Sequence, residues 1–267
     1  MNDLTVEAVQ NVLQTRVFGR ALEVHACLES TNLTLEERAR VGAPEGLVVV
    51  ADQQTGGRGR AGRKWSSPPH KNLYVSLLAR PSCTPGLVPQ LALLTALAVH
   101  DALCAACCGQ DFRVKWPNDV LCGGRKLCGI LCTMSCQGTC TDYAVVGVGI
   151  NVNAVLEDFA PEVRDVATSL ALLARHEFSR ANVLASFLGA WERRYDAWLA
   201  AGSLAPFLDE WRQHSLLEGK HILVQQGNEP VSGTVDGITP EGHLILRNGD
   251  QTTLAVAGDA HILPANK

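Results

Sequence analysis

Residues 54–65 read QTGGRGRAGRKW, so Arg58, Arg60, Arg63 and Lys64 stand among glycines beside an indole. Guanidinium forks next to backbone free of side chains are what enclosing a phosphate requires. Residues 57–62 also match G-x-G-x-x-G literally, which is a dinucleotide fingerprint when it ends a strand and opens a helix. The apolar run at 46–51 supplies a strand, but Ser66-Ser67-Pro68-Pro69 follows, and two prolines oppose a helix there. A P-loop fails because Gly62 is followed by Arg63-Lys64 and not by Lys then Ser or Thr. Two other readings stay open. A nucleic-acid arm would use the same arginines, although so short a basic stretch would bind weakly. A solvated surface loop explains one or two cations more easily than four. The glycines imply a loop that is loose without ligand and orders around an anion as a lid.

Further groups recur downstream. Lys115-Trp116-Pro117-Asn118-Asp119 places a cation, an indole, an amide and a carboxylate at a strand end; taken alone, Pro-Asn-Asp is turn chemistry. Lys126 stands beside Gly129-Ile130-Leu131, and a single strand lysine is commonly an edge charge. Gly147-Val148-Gly149-Ile150-Asn151-Val152-Asn153 threads glycines through a strand, which suggests close approach of a ligand to the backbone. Ser30-Thr31-Asn32 supplies N-cap chemistry for a helix.

The elements that must position these groups follow from periodicity and breakers. The pattern predicts a short amphipathic helix over 4–16, strands over 21–28, 46–51 and 73–79, and a helix over 33–41. A buried Leu/Ala-rich helix is expected over 87–108, then a strand over 112–116 that Pro117 stops. A hairpin around Gly123-Gly124 joins 120–122 to 126–132, and 143–152 is a glycine-punctuated strand. A long helix over 181–200 carries Trp191, Tyr195 and Trp198, and a shorter one covers 204–214. From about Gly219, five short strands separated by turn residues predict a small barrel.

The formal net charge is −4, from 23 Lys and Arg against 27 Asp and Glu, which disfavours general attraction to nucleic acid or anionic membrane. No apolar run of bilayer length is expected, and MNDLTVEAVQ lacks the features of a secretory signal, so a cytoplasmic location is expected. Of ten cysteines, only Cys104 and Cys107 form a C-x-x-C pair; the favoured reading is free, buried thiols acting as small apolar residues.

Taken together, Ser30-Thr31-Asn32, the 54–65 block, KWPND at 115–119, RKLCGIL at 125–131 and GVGINVN at 147–153 resemble biotin protein ligases in motif, order and spacing. The resemblance extends over about residues 20–264 and is closest to the short, monofunctional class without a DNA-binding domain. Lipoate ligases share the architecture, but their RRxxGGG motif has no counterpart here; Gly56 stands where alanine is common in the family. The resemblance implies an α+β fold: a mixed sheet with helices on one side as the catalytic domain, residues 1–217, and an SH3-like small barrel, residues 218–267. It implies activation of biotin by ATP to biotinyl-5′-AMP, then transfer to a lysine of a biotin carboxyl carrier protein. It also implies no membrane partner and allows a homodimer.

The same resemblance assigns roles. Lys126, with Arg58, is the catalytic candidate. Ser30, Thr31, Asn32, Gln54, Arg58, Gly59, Arg60, Lys126 and Gly129 would bind biotin. Arg60, Arg63, Trp65, Asn118, Lys126 and Asn151 would bind the nucleotide. Asp119 would position Mg²⁺ through water or support the biotin pocket.

Overall fold

The computed structural model describes residues 3–226 and 229–263. Seven strands form one mixed sheet in the order β1-β2-β3-β7-β6-β5-β4. They are β1 (Leu22–Leu28), β2 (Val48–Gln54), β3 (Leu73–Ala79), β4 (Phe112–Lys115), β5 (Asp119–Cys122), β6 (Arg125–Gln137) and β7 (Cys140–Ile150). Among the described residues only the β1–β2 pair of this sheet is parallel; its other pairs are antiparallel. The helices of this part are α1 (Val6–Gln10), α2 (Thr31–Arg40), α3 (Gln90–Ala106), α4 (Leu170–Ala174), α5 (Arg180–Ala201) and α6 (Leu208–His214).

Strand alternation sorts the core onto two faces. Val48, Val50, Val75, Leu77, Val146 and Val148 join the large core with Leu94, Leu97, Leu188 and Trp191. Their neighbours Val49, Leu78 and Val145 pack instead with Leu35 and Ala39 of α2. Helices therefore cover both faces, which corrects the expectation that they lie on one side. α2 is short, so it covers only part of its face. The uncovered remainder is where the motif residues of the sequence gather.

Most expected elements appear with shifted ends. The helix predicted over 4–16 shortens to Val6–Gln10, and α2 starts at Thr31, two residues before the predicted start at 33. The hairpin strands run longer than expected because β6 and β7 pair from Cys128↔Ile150 out to Gln137↔Cys140. The 85–106 helical stretch is long and apolar enough to cross a bilayer by composition, contrary to the sequence expectation, but it is mostly buried. It serves as the core helix between α5 and the sheet. On α5, Trp191 donates to Thr95 Oγ1 at 2.9 Å, Trp198 to Gln90 Oε1 at 2.8 Å and Tyr195 to Glu45 Oε1 at 2.7 Å. Large aromatic area is thus buried with each polar tip satisfied.

The C-terminal strands β8 (His221–Gln226), β9 (Glu229–Ile238), β10 (Leu244–Asn248), β11 (Gln251–Ala255) and β12 (Asp259–Ile262) form a second, antiparallel sheet in the order β11-β10-β9-β8-β12. No pairing joins β11 to β12 among the described residues, so the expected barrel is an open five-stranded sheet. It docks on the first unit through Trp116 Nε1, which donates to the Gly242 carbonyl at 3.1 Å.

All ten cysteines are free thiols. Cys107, Cys122 and Cys128 are buried as expected, whereas Cys27, Cys108, Cys136 and Cys140 are exposed, so burial accounts for only some of them.

One polar cluster ties the core together. Arg180, 1% exposed, places Nη1 2.6 Å from buried Asp52 and Nε 2.8 Å from Asp3. Removing one member of a buried ion pair strands the other charge. Arg180→Ala should lower unfolding free energy by about 3–5 kcal/mol, read as a reduced urea midpoint at unchanged slope.

Candidate active site

The part of the sheet beyond α2 carries little side-chain bulk. Gly129 of β6 lies directly opposite Gly149 of β7, and Leu131 opposite Gly147. These glycines are required by close approach. A Cβ at Gly149 would sit 2.5 Å from Trp65 Cε2 and Nε1, and one at Gly129 would sit 2.8 Å from Trp65 Cζ3. A Cβ at Gly147 would sit 2.0 Å from Asn32 Oδ1. The glycine-threaded strand was expected to admit a ligand to the backbone. What approaches it here is the chain's own Trp65 and Asn32.

Beside that floor runs a polar network. Gln54 Oε1 accepts from the Thr31 backbone N–H at 2.9 Å and lies 3.2 Å from Thr31 Oγ1. Gln54 Nε2 donates to Ser67 Oγ at 3.0 Å. Ser76 Oγ lies 2.8 Å from Thr31 Oγ1 and 2.6 Å from Asn32 Oδ1, and Asn32 Nδ2 donates to the Leu131 carbonyl at 3.2 Å. Ser30 is buried at the N-cap position of α2 but makes no side-chain cap bond. The amides and hydroxyls predicted from the sequence therefore converge, with their orientations fixed. Ser67 and Ser76 were not predicted. Ser76 sits in a fully buried strand where only its contrast with apolar neighbours marked it.

The basic loop is folded as a small hairpin. Arg58 bridges Lys64 in antiparallel fashion, Gly59 N–H donates to Arg63 O at 2.7 Å and Trp65 N–H to Gly57 O at 2.9 Å. Ala61 turns at φ 52° and Gly62 at φ 73°, the left-handed region glycine favours. Gly57 is obligatory because a Cβ would lie 2.4 Å from the Trp65 carbonyl.

Arg58, Arg60, Arg63 and Lys126 each have a partner. Lys126 Nζ is 2.6 Å from Asp119 Oδ1 and 5.5 Å from the Trp65 ring centroid, a cation–π approach. Arg60 Nη1 donates to Asn118 Oδ1 at 3.1 Å, and Asn118 Nδ2 donates to the Ile130 carbonyl at 2.7 Å. Arg58 reaches only exposed Glu29, at 3.6 Å. Arg63 pairs with Asp259 at 3.0 Å. Beneath Lys126, burial pushes the Cys128 thiol up, and the nearby Asp119 charge pushes it further, so Cys128 is an inert packing group. Asn151 is buried at the end of β7, its Nδ2 donating to the Thr168 carbonyl at 3.0 Å. It braces the loop that crosses Lys126, where Lys126 N–H donates to Val166 O at 2.7 Å.

The site thus joins Thr31, Asn32 and Gln54 to Arg60, Asn118, Asp119, Lys126, Gly129 and Trp65. Arg58 and Arg63 lie at the rim. Among the described residues, no group of three or more His, Cys, Asp or Glu could hold a metal ion. Asp119 Oδ1 is buried and accepts no hydrogen bond beside its Lys126 contact among the described residues.

Gly147→Ala should expel Asn32 from the floor and cost about 1–3 kcal/mol. Gly86→Ala, where the added methyl meets nothing, should stay within about 0.5 kcal/mol. Chemical denaturation of the pair checks this.

The same chain matches known proteins over most of its length. The Biotin/lipoate A/B protein ligase family model matches residues 24–151, and the Biotin protein ligase C terminal domain model matches residues 219–260. Over 238 residues the chain is 38% identical to the bifunctional ligase/repressor BirA of Bacillus subtilis, spanning 89% of this chain and 73% of that protein. It is 34% identical over 245 residues to the biotin–[acetyl-CoA-carboxylase] ligase of Mycobacterium tuberculosis, spanning 90% and 88% of the two chains. The solved biotin protein ligase of Aquifex aeolicus, in complex with biotin and ATP, superposes with a TM-score of 0.77 at 27% identity, covering 92% of this chain and all of that one. With the cations, the glycine floor and the Gln54 network in the order and places described, the chain belongs to the biotin/lipoate A/B protein ligase family, among its biotin protein ligases.

Proposed function

We propose that this site activates biotin with ATP and transfers the biotinyl group to a lysine of a biotin carboxyl carrier protein. The observation that carries the reading is the joining of Lys126, Arg60, Asn118 and Trp65, over the glycine floor, to the fixed polar network of Thr31, Asn32 and Gln54. One half suits a neutral, polar ring, which needs fixed hydrogen-bonding groups. The other suits a carboxylate meeting a triphosphate. Residues 1–217 would form the catalytic unit and residues 218–267 the small domain.

In the first step a biotin carboxylate oxygen attacks the α-phosphorus of ATP, the bond to the β-phosphate oxygen breaks, and pyrophosphate leaves. In the second, a neutral lysine amine attacks the acyl carbon, AMP leaves with the bridging oxygen, and the amine loses a proton to form the amide. Charge crowding is the main barrier to the first step, and positioned cations are its remedy. Lys126, held between Asp119 and the Trp65 face, is oriented before substrate arrives. It would lie between carboxylate and α-phosphate. Arg60 and Arg63 would take nucleotide phosphates, and Trp65 would offer its face to adenine. Mg²⁺ bound to ATP phosphates would neutralise charge there; Asp119 would hold it through water, a usual arrangement for this ion.

Arg58 and Glu29 are 53% and 67% exposed and 3.6 Å apart, a weak surface pair. The Arg58 end of the hairpin is therefore cheap to move over a bound acyl-adenylate, where excluding water protects a mixed anhydride.

Biotin-dependent release of pyrophosphate from ATP tests the reading, with lipoate assayed in parallel; release with neither acid would overturn it, and release with lipoate alone would replace the substrate. Lys126→Ala should reduce that release by about 10²–10³-fold, the usual loss for one charge-stabilising group, while thermal unfolding stays cooperative. Arg58→Ala should speed acyl-adenylate dissociation in stopped flow; an unchanged rate removes Arg58 from the lid.

A further inference from the structure

The two arginines that the preceding reading assigns to nucleotide phosphates converge on a single carboxylate of the second sheet. Arg63 Nη2 lies 3.0 Å from Asp259 Oδ2 and 3.2 Å from Oδ1. Arg60 Nη1 lies 3.7 Å from Asp259 Oδ1, and Arg60 Nη2 donates to the Gly258 carbonyl at 3.4 Å. The contact is built into the backbone. Gly258 has φ +129°, and a Cβ there would meet the Gln225 carbonyl at 2.3 Å, so only glycine lets the chain enter β12 at this point. Asp259 is the first residue of β12 and is held in register opposite Gln225 of β8.

We propose that Asp259 is an internal stand-in for phosphate: its carboxylate sits in the arginine cradle, and ATP must displace it. Guanidinium groups grip carboxylate and phosphate with the same fork geometry. Asp259 is 39% exposed and Arg63 59%, so the pair is weak and exchanges readily. A triphosphate brings more charge and more acceptor oxygens to the same two forks. The latched population is not competent to bind phosphate through these arginines, and it lowers apparent nucleotide affinity by its share. Nucleotide binding would in turn release the loop from the second sheet. This inference rests on the assignment of Arg60 and Arg63 to the nucleotide.

The test uses the full chain and biotin-dependent pyrophosphate release, with ATP varied at saturating biotin. Asp259→Asn should lower KM for ATP by about two- to fivefold, leaving kcat and KM for biotin within about twofold. Asp259→Glu, which keeps the charge, should stay near the parent value. The gap between Asp259→Asn and the parent should narrow as KCl is raised, because exposed charges are screened. An unchanged KM for ATP in Asp259→Asn overturns the proposal. A raised KM also overturns it, and makes Asp259 a residue that positions the arginines. Arg63→Ala separates this failure from failure of the underlying reading. If it raises KM for ATP while Asp259→Asn changes nothing, only the stand-in role falls; if it leaves KM unaltered, both fall together. Thermal unfolding is followed alongside, and Asp259→Ser, read the same way, replaces Asp259→Asn should that variant not fold.

Discussion

Steric vacancy on one patch of a sheet is the condition on which this site depends. Gly129 and Gly149 face each other across β6 and β7, and their missing methyl groups let the Trp65 ring lie against the backbone. Gly147 does the same for Asn32. Any larger residue at these positions would lift the indole away from Lys126 or push Asn32 away from Ser76. The floor also explains why a long loop can end beside the sheet: Gly57 passes against the Trp65 carbonyl, where no other residue fits.

On this floor the protein solves an electrostatic problem. Its net charge is −4, yet the site gathers Arg58, Arg60, Arg63 and Lys126. Each is balanced by an acidic or amide partner: Glu29, Asn118 with Asp259, Asp259, and Asp119. The balance is graded. Lys126 and Asp119 are half-buried, 36% and 22% exposed, and in close contact; the Arg58 and Arg63 pairs are more open to water, where such pairs contribute about 0–1 kcal/mol. A fixed charge at the reacting centre and exchangeable charges around it suit a site that must both hold an anion and release one.

The second sheet belongs to this arrangement. Trp116 anchors it by donating to Gly242 O, and the Trp116 indole lies in the same KWPND turn that carries Asn118 and Asp119. The turn therefore touches Lys126, the loop Arg60 and the neighbouring unit at once. Arg60 closes the circuit through Asn118 on one side and Gly258 on the other. The loop and the second sheet are thus joined through a few polar contacts.

Much of this was legible in the residues, because motifs are local. The basic glycine block, the Lys126 strand, the hairpin at Gly123-Gly124 and the five C-terminal strands are patterns of types and spacings, and periodicity and turn chemistry report on near neighbours. Element ends moved by a few residues, and α1 shortened, because tertiary packing settles where a helix stops. What spacing along the chain could not carry is contact between distant residues. Arg60 meets Gly258 across 198 positions, and Ser76 meets Thr31 across 45, so neither partner shows a local signature. The meaning of the β7 glycines was also hidden. A glycine in a strand announces close approach but not by what, and only the folded chain placed Trp65 and Asn32 there. The side of the sheet taken by α2 was likewise decided in three dimensions, since which face a helix covers depends on where the chain crosses and not on the helix's own pattern.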